Sequence, residues 1–252
     1  MTSTEKTTEK AVTRTAAADP YPAGAWEFTA DVANVFDEHV VAHLPHYAEF
    51  QESVAVLSDW LVPHGGIVAD LGASTGRTAE MIQRRSPHRE IVFHLYDEQP
   101  RMNVRARERL KAAGAARFQT HTTDVITEPL AHGGANLTLA LFTLQFHAAR
   151  DRARILDAAR RAAAEDGALL LAEKIRPADP LWAEVAAELT AEWKLAHGVT
   201  AEEVRAKARS IRGVLLPRRL ADVEEELCCA GWVRPEVLFR WHSWALIGAH
   251  AR

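Results

Sequence analysis

The sequence predicts an α/β protein built on a doubly wound, mostly parallel sheet of seven strands, and three observations point there. Short apolar runs alternate with amphipathic stretches from Ile67 to Thr122, which is the rhythm of a parallel β/α unit. The first run, ending at Leu71, passes directly into a small-residue turn that opens a helix. Two later runs, Asn136 to Phe142 and Ala168 to Ala172, are almost wholly apolar, as strands covered on both faces must be.

Taken in order, the first twenty residues are rich in Thr, Lys, Glu and Ala, and residues 1–24 read as a disordered tail. From Phe28 the period is helical, with Val32, Val35, Phe36 and Val40 on one stripe. Pro45 interrupts it, and a second stripe follows at Phe50, Val54, Leu57 and Leu61. Both helices precede the first strand, so they are expected across the ligand cleft as a lid or flank. Strands then fall at Ile67–Leu71, Ile91–Tyr96 and Arg117–Thr122, with helices near Arg77–Arg85 and Pro100–Ala113. An Arg/Ala-rich helix ending near Asp166-Gly167 separates the fourth and fifth strands. Pro180 to Arg212 holds no strand candidate, and residues 180–212 form a helical insertion after strand 5. A helix from Leu220 to Ala230 stops at Gly231 as at a C-terminal cap, and Val237–Trp241 with Trp244–Ala249 close the sheet as an antiparallel hairpin. Residues 25–252 therefore read as a single domain.

Composition narrows the function class. The 252 residues are 48% apolar with a formal net charge of -4, enough for a sizeable core and no bulk attraction to nucleic acid. The two cysteines are neighbours, Cys228 and Cys229, so no disulfide framework exists. With neither an 18-residue apolar stretch nor a secretory h-region, the expectation is a cytoplasmic protein that binds neither membrane nor nucleic acid.

The turn after the first strand reads Asp70-Leu-Gly72-Ala73-Ser74-Thr-Gly76-Arg-Thr78. Gly72, Ala73, Ser74 and Gly76 let backbone approach a ligand where a larger side chain would collide. Gly76 follows Gly72 by four residues and no third glycine closes the pattern, so this is not the dinucleotide fingerprint. The spacing D-x-G-x-S-x-G resembles motif I of the class I S-adenosylmethionine (SAM) methyltransferases, whose Rossmann-like fold it implies. Asp97 follows the second strand, 25 residues beyond Gly72, where an acidic side chain accepts both ribose hydroxyls. Asp124 lies at the tip of the third strand and in SAM enzymes reads the adenine amino group, with Val125 packing on the ring. As a residue type it serves equally as the N-cap of a helix that follows.

Segments from Trp26 to Ala249 resemble the carboxy-S-adenosylmethionine (carboxy-SAM) synthases, methyltransferase-fold enzymes. The matching stretches are Trp26-Glu-Phe28, Val32-Ala-x-Val35-Phe36, Pro45-x-Tyr47, Asp70-Leu-Gly-x-Ser74, Phe142-Thr-Leu-Gln-Phe146, Glu173-Lys174, Ala206-Lys-Ala-Arg209-Ser210 and Ala230-Gly231. That family makes carboxy-SAM from SAM and prephenate, for a partner enzyme acting on tRNA wobble uridine, and its dimer sets an arginine of one subunit near the ligand carboxylate of the other. The resemblance implies that Tyr47, Gly72 to Ser74, Asp97 with Glu98, and Asp124 with Val125 line the cofactor site, that Arg209 clamps a carboxylate, and that the protein is a homodimer. Two positions depart from the family, which has asparagine where this chain has Glu98 and Leu141. Leucine only packs where an amide would hydrogen-bond.

Other candidates carry weaker signals. Arg205, Lys207, Arg209 and Arg212 share a basic helix face that reads equally as solvated surface, although guanidinium is the group that grips carboxylates in bidentate fashion. His39, His43 and His46 would share a face of an unbroken helix, but Pro45 breaks it, and no metal site is expected. His147, after the fourth strand, and Tyr47 stand where a base or substrate contact would. Glu173 and Lys174 could touch substrate or pair with each other, and Trp182 and Trp193 could wall a substrate site from the insertion. The leading expectation is a SAM-dependent methyltransferase acting on a small, carboxylate-bearing metabolite, binding SAM or S-adenosylhomocysteine, with Leu141 and Glu98 favouring plain SAM. The alternatives are carboxy-SAM synthesis and a non-catalytic SAM-binding partner protein.

Overall fold

A computed structural model describes residues 30–252, with side chains from Phe36 onward. The expected tail at residues 1–24, the helix start at Phe28 and the Trp26 stretch lie outside the described residues. Helix α1 (Ala30–His43) leads through Pro45 to α2 (Tyr47–Leu61). Then come β1 (Ile67–Leu71), α3 (Arg77–Arg85), β2 (Val92–Asp97), α4 (Pro100–Ala112), β3 (Arg117–Thr122), β4 (Ala135–Leu141), α5 (Ala149–Ala162) and β5 (Ala163–Lys174). The chain ends with α6 (Pro180–Ala196), α7 (Ala201–Ser210), α8 (Leu220–Cys229), β6 (Val233–Trp241) and β7 (Trp244–His250).

The seven strands form one mostly parallel sheet, as the alternation of elements predicts, and their order is β3-β2-β1-β4-β5-β7-β6. Strands β1 to β5 run parallel, and the β6–β7 hairpin is antiparallel, with β6 at the sheet edge. Two apolar layers cover the sheet. Phe50 and Val54 of α2, Ile82 of α3 and Leu110 of α4 pack on one face; Ile155 and Leu156 of α5 and Leu227 of α8 pack with Trp232 on the other. The helices that cover the sheet face it through residues three and four apart, such as Tyr47, Phe50, Val54 and Ser58 of α2.

Several boundaries differ from the sequence reading, and β6 starts at Val233 rather than at the expected Val237. The helix expected to reach Asp166-Gly167 stops at Ala162, because Ala163 pairs with Ala135 and extends β5 toward its N-terminus. Gly167 permits that close approach, since a Cβ there would stand 2.6 Å from the Ala135 carbonyl oxygen. The insertion is two helices rather than one run. The chain turns at Gly198 with φ +85°, and Thr200 with Glu203 forms a reciprocal capping box that starts α7.

An ion network centred on a fully buried pair, Arg152 and Glu173, ties the second layer to the sheet. Arg152 of α5 donates to both carboxylate oxygens of Glu173 in β5, at 2.7 and 2.9 Å, and to Glu226 of α8 at 2.7 Å. Glu226 also accepts from Arg218 at 2.9 Å. Glu173 is therefore partnered by Arg152 and not by Lys174, and burial of both partners makes this bidentate pair structural.

Candidate active site

The parallel sheet reverses its winding between β1 and β4, and the crevice outside the C-terminal ends of those strands is where such sheets bind ligands. A cavity of about 280 Å³ lies there. Its floor is the turn after β1 and the loop after β4, which are stitched together by the Thr143 hydroxyl donating to the Leu71 carbonyl at 2.9 Å. Gly72 has φ +78°, and a Cβ there would fall 2.3 Å from Thr143 Oγ1, so only glycine fits. Ser74 and Phe142, both at the cavity, also hold positive φ of 49° and 59°, an uncommon state for residues bearing side chains. Phe142 is held there by an edge contact to Phe50, with ring centroids 5.3 Å apart, and by Trp244 at 6.0 Å.

Asp97 stands at the tip of β2, and its carboxylate is fixed at both oxygens. One accepts from the Ser74 N–H and the other from the Gln99 N–H, each at 2.9 Å. Asp70, at the end of β1, is buried in the same cavity. Burial, and then the neighbouring Asp97, push Asp70 up to about 7, and burial pushes Asp97 up to about 6. Tyr47, Ala73, Glu98, Val125, Leu141 and His147 all line the cavity as well. Tyr47 is buried, with the Arg77 guanidinium 5.6 Å from its ring centroid, and burial raises its phenol further out of the titrating range. His147 is held below the ordinary histidine value by burial, and its acidic neighbours are Asp124, Asp151 and Glu98.

Several expectations change once side chains are placed. Asp124 lines the cavity, and the element that follows it is β4, not a helix to be capped; its Oδ1 accepts from the Ile126 N–H at 2.8 Å and its Oδ2 from the Thr127 hydroxyl at 3.2 Å, so it caps a turn instead. Gly76 does not line the cavity. Its φ of +72° and the 2.9 Å approach that a Cβ would make to the Ala106 methyl show a glycine needed for packing against α4. Arg209 is exposed and also outside the cavity, whereas Lys207 is buried within it. Residues two apart on a helix point to nearly opposite sides, so both could not enter the same site. Trp182 is 63% exposed, and neither it nor Trp193, which stacks on His197 at 3.9 Å, walls the cavity; Trp244 does. His39 and His43 stack 4.2 Å apart at the cavity, while His46 begins α2 in the left-handed region.

Lys194 of α6 and Lys207 of α7, which sequence reasoning did not place in the site, join Lys174 of β5 in the lining. The cavity thus carries carboxylates at the strand tips, with Asp70, Asp97, Glu98 and Asp124, and ammonium groups brought by β5 and the insertion. One signal for Lys207 was present in the sequence: Val204, Lys207 and Ile211 recur at helical spacing, so the lysine shares a stripe with apolar residues.

The donor set fits a nucleoside sulfonium. A doubly anchored carboxylate at the β2 tip suits a ribose, a glycine turn admits backbone contact, and the buried Thr123 hydroxyl has no partner among the described residues. Comparison with known proteins agrees. A methyltransferase-domain family model matches residues 68–167. The carboxy-S-adenosyl-L-methionine synthase of Pseudomonas putida strain F1 is 31% identical over 81% of this chain and 84% of its own length. The chain belongs to the carboxy-S-adenosyl-L-methionine synthase family, within the class I SAM methyltransferase fold. The synthase of Methylococcus capsulatus is 29% identical over 88% of this chain and 92% of its own length. The apo crystal structure of the SAM-dependent methyltransferase SibL superposes with a TM-score of 0.60 at 18% identity, over 86% of this chain and 58% of that one. This family's fold and its cofactor SAM therefore apply here, and the protein is a SAM-dependent enzyme. No described helix is long and apolar enough to cross a membrane.

Proposed function

We propose that this protein is a carboxy-SAM synthase that joins SAM to the carboxyl group of prephenate. The observation that carries the reading is the division of charge in one cavity, carboxylates at the strand tips and lysines from β5, α6 and α7. A cationic sulfonium and a dianionic partner are the pair that such a cavity suits. The bound SAM would supply a methyl carbon that gives up a proton and takes the carboxyl leaving prephenate, while the hydroxide expelled as the ring aromatises takes that proton. The chain's residues hold and shield the reactants. Asp97 would accept from the ribose hydroxyls, Asp70 would face positive charge on the methionyl part, and Tyr47, Phe142 and Trp244 would keep water from the reacting carbon. The reading is tested by incubating the protein with SAM with and without prephenate and following carboxy-SAM by mass spectrometry. Product formed only with prephenate supports it, and its absence opposes it.

Methyl transfer to a carboxylate-bearing metabolite is the second reading, favoured by Leu141, whose side chain packs against the core and offers the ligand no donor. The lysines answer that objection by supplying cations, two of which, Lys194 and Lys207, the sequence pattern does not place in the site.

Arg209 keeps a role only by reaching another copy. We place it on the surface of a homodimer built on the exposed side of the insertion, where Leu181, Trp182 and Leu195 are 60%, 63% and 47% exposed. Sedimentation should then give about twice the 27.9 kDa chain mass. A monomer at working concentrations removes Arg209 from the site.

The raised acid at β1 also makes cofactor binding depend on pH. Asp70, with a value near 7, is charged above that pH and neutral below it, and only the charged form attracts a sulfonium. SAM affinity measured by calorimetry should fall as pH drops from 7.5 to 5.5, by up to about tenfold per unit from Asp70 and more steeply near and below pH 6, where Asp97 also takes up a proton. An Asp70→Asn variant should bind weakly with a flatter profile; a wild-type profile flat over that range would contradict the assignment.

A further inference from the structure

We infer that Lys174 and Lys194 form the receptor for a carboxylate of the second substrate, with the Trp244 indole as a third donor. This deepens the reading above and rests on it for the substrate's identity, though not for its charge.

Four observations carry the inference. Lys174 ends β5 opposite Trp244 of β7, and its ammonium lies 5.6 Å from that indole's ring centroid. Its backbone is anchored, because the Lys174 N–H donates to Gln145 Oε1 at 2.8 Å while Gln145 Nε2 donates to the Phe142 carbonyl at 3.2 Å. Lys194 enters the same cavity from α6, and among the described residues neither lysine lies within 4.0 Å of a carboxylate. The Trp244 indole N–H is buried without an acceptor among the described residues. Two half-buried ammonium groups that repel each other, beside an unused indole donor, are costly until an anion joins them. The fold spends that cost at the cavity wall, not in a structural ion pair like the Arg152–Glu173 pair on the same strand.

The groups facing Lys194 decide how binding moves protons. Lys174 faces it from β5 and His39 from α1, and His39 in turn stands beside His43 and Lys207 of α7. Burial first, and then Lys174, lower Lys194 to about 8, while burial and its cationic neighbours lower His39 to about 3 and keep it neutral. An arriving carboxylate stabilises the charged lysine. At pH 8 its binding should therefore draw up to about half a proton from the buffer.

The experiment titrates prephenate, and separately malonate, into the full-length protein saturated with S-adenosylhomocysteine, which lacks the reacting methyl. Calorimetry at pH 8 in Tris and in triethanolamine, buffers with different heats of ionisation and no competing anion, reads affinity and proton uptake together. Binding of either acid should be weakened about tenfold or more in Lys174→Gln and in Lys194→Gln, while S-adenosylhomocysteine affinity changes by less than about twofold and so reports an intact fold. Lys194→Arg should keep the affinity and lose the buffer-dependent heat. Lysine-dependent binding of malonate but not prephenate would uphold the receptor and defeat the prephenate reading. Binding of prephenate that is indifferent to both lysine variants would uphold that reading and overturn the receptor. No binding of either acid by the wild type would also overturn the receptor.

Discussion

Glu173→Leu is expected to destabilise the protein by about 3–5 kcal/mol, the largest single-residue effect the structure implies. Arg152 and Glu173 are both fully buried, and Glu173 takes two of the arginine's hydrogen bonds. Removing the glutamate leaves a guanidinium in the α5–β5 layer with only Glu226, which also serves Arg218. Burial raises the glutamate's pKa, the hydrogen-bonded Arg152 guanidinium works against that rise, and removing either group leaves the other buried without its main partner. The midpoint of urea unfolding should fall without a change of slope. Adding Arg152→Met should recover much of the loss, because an apolar pair of similar volume removes the stranded charge. A Glu173→Leu variant as stable as wild type would show that the network contributes nothing.

Asp97→Ala is expected to weaken SAM and S-adenosylhomocysteine binding by about 1–3 kcal/mol, or roughly 5- to 150-fold. Its carboxylate is aligned by the Ser74 and Gln99 N–H groups, so the oxygens are placed before any ligand arrives. Burial pushes the free acid to about 6, leaving it ionised near neutrality and a strong acceptor for two hydroxyls. The loss should appear with both nucleosides, since both carry the ribose, and that separates it from Asp70, whose partner is the positive charge. Equal calorimetric affinities for wild type and variant would remove Asp97 from the cofactor site.

What the sequence shows plainly is whatever depends on neighbours along the chain. Strand β1 was bounded correctly at Ile67 and Leu71 because five apolar or strand-end residues stand between Gly66 and Gly72. Helix α3 likewise begins where the small-residue turn releases it. Asp97 could be placed because a strand's end carries its carboxylate to the sheet's tip. The basic wall was not legible in the same way. Lys194 reaches the cavity only because α6 folds back past β5, a long-range packing that no local period encodes. Arg209 attracted attention as the better carboxylate ligand by residue type, but helix phase turns Lys207 inward in its place. Gly76 looked like a ligand glycine, and only the position of Ala106 reveals that it serves helix packing.

The central claim is that this cavity handles a carboxylated sulfonium, and the nucleosides released from the freshly purified protein test it most directly. Sequence alone favoured plain SAM, because Leu141 and Glu98 replace two amides with a non-donor and a carboxylate. The structure adds Lys174, Lys194 and Lys207 around the same space, which is the compensation an anion in a water-poor site requires. Mass spectrometry of the released nucleosides should therefore detect carboxy-SAM, diminished in Lys194→Gln. Only SAM or S-adenosylhomocysteine, from protein produced in cells that make prephenate, would contradict the account and return methyl transfer to first place.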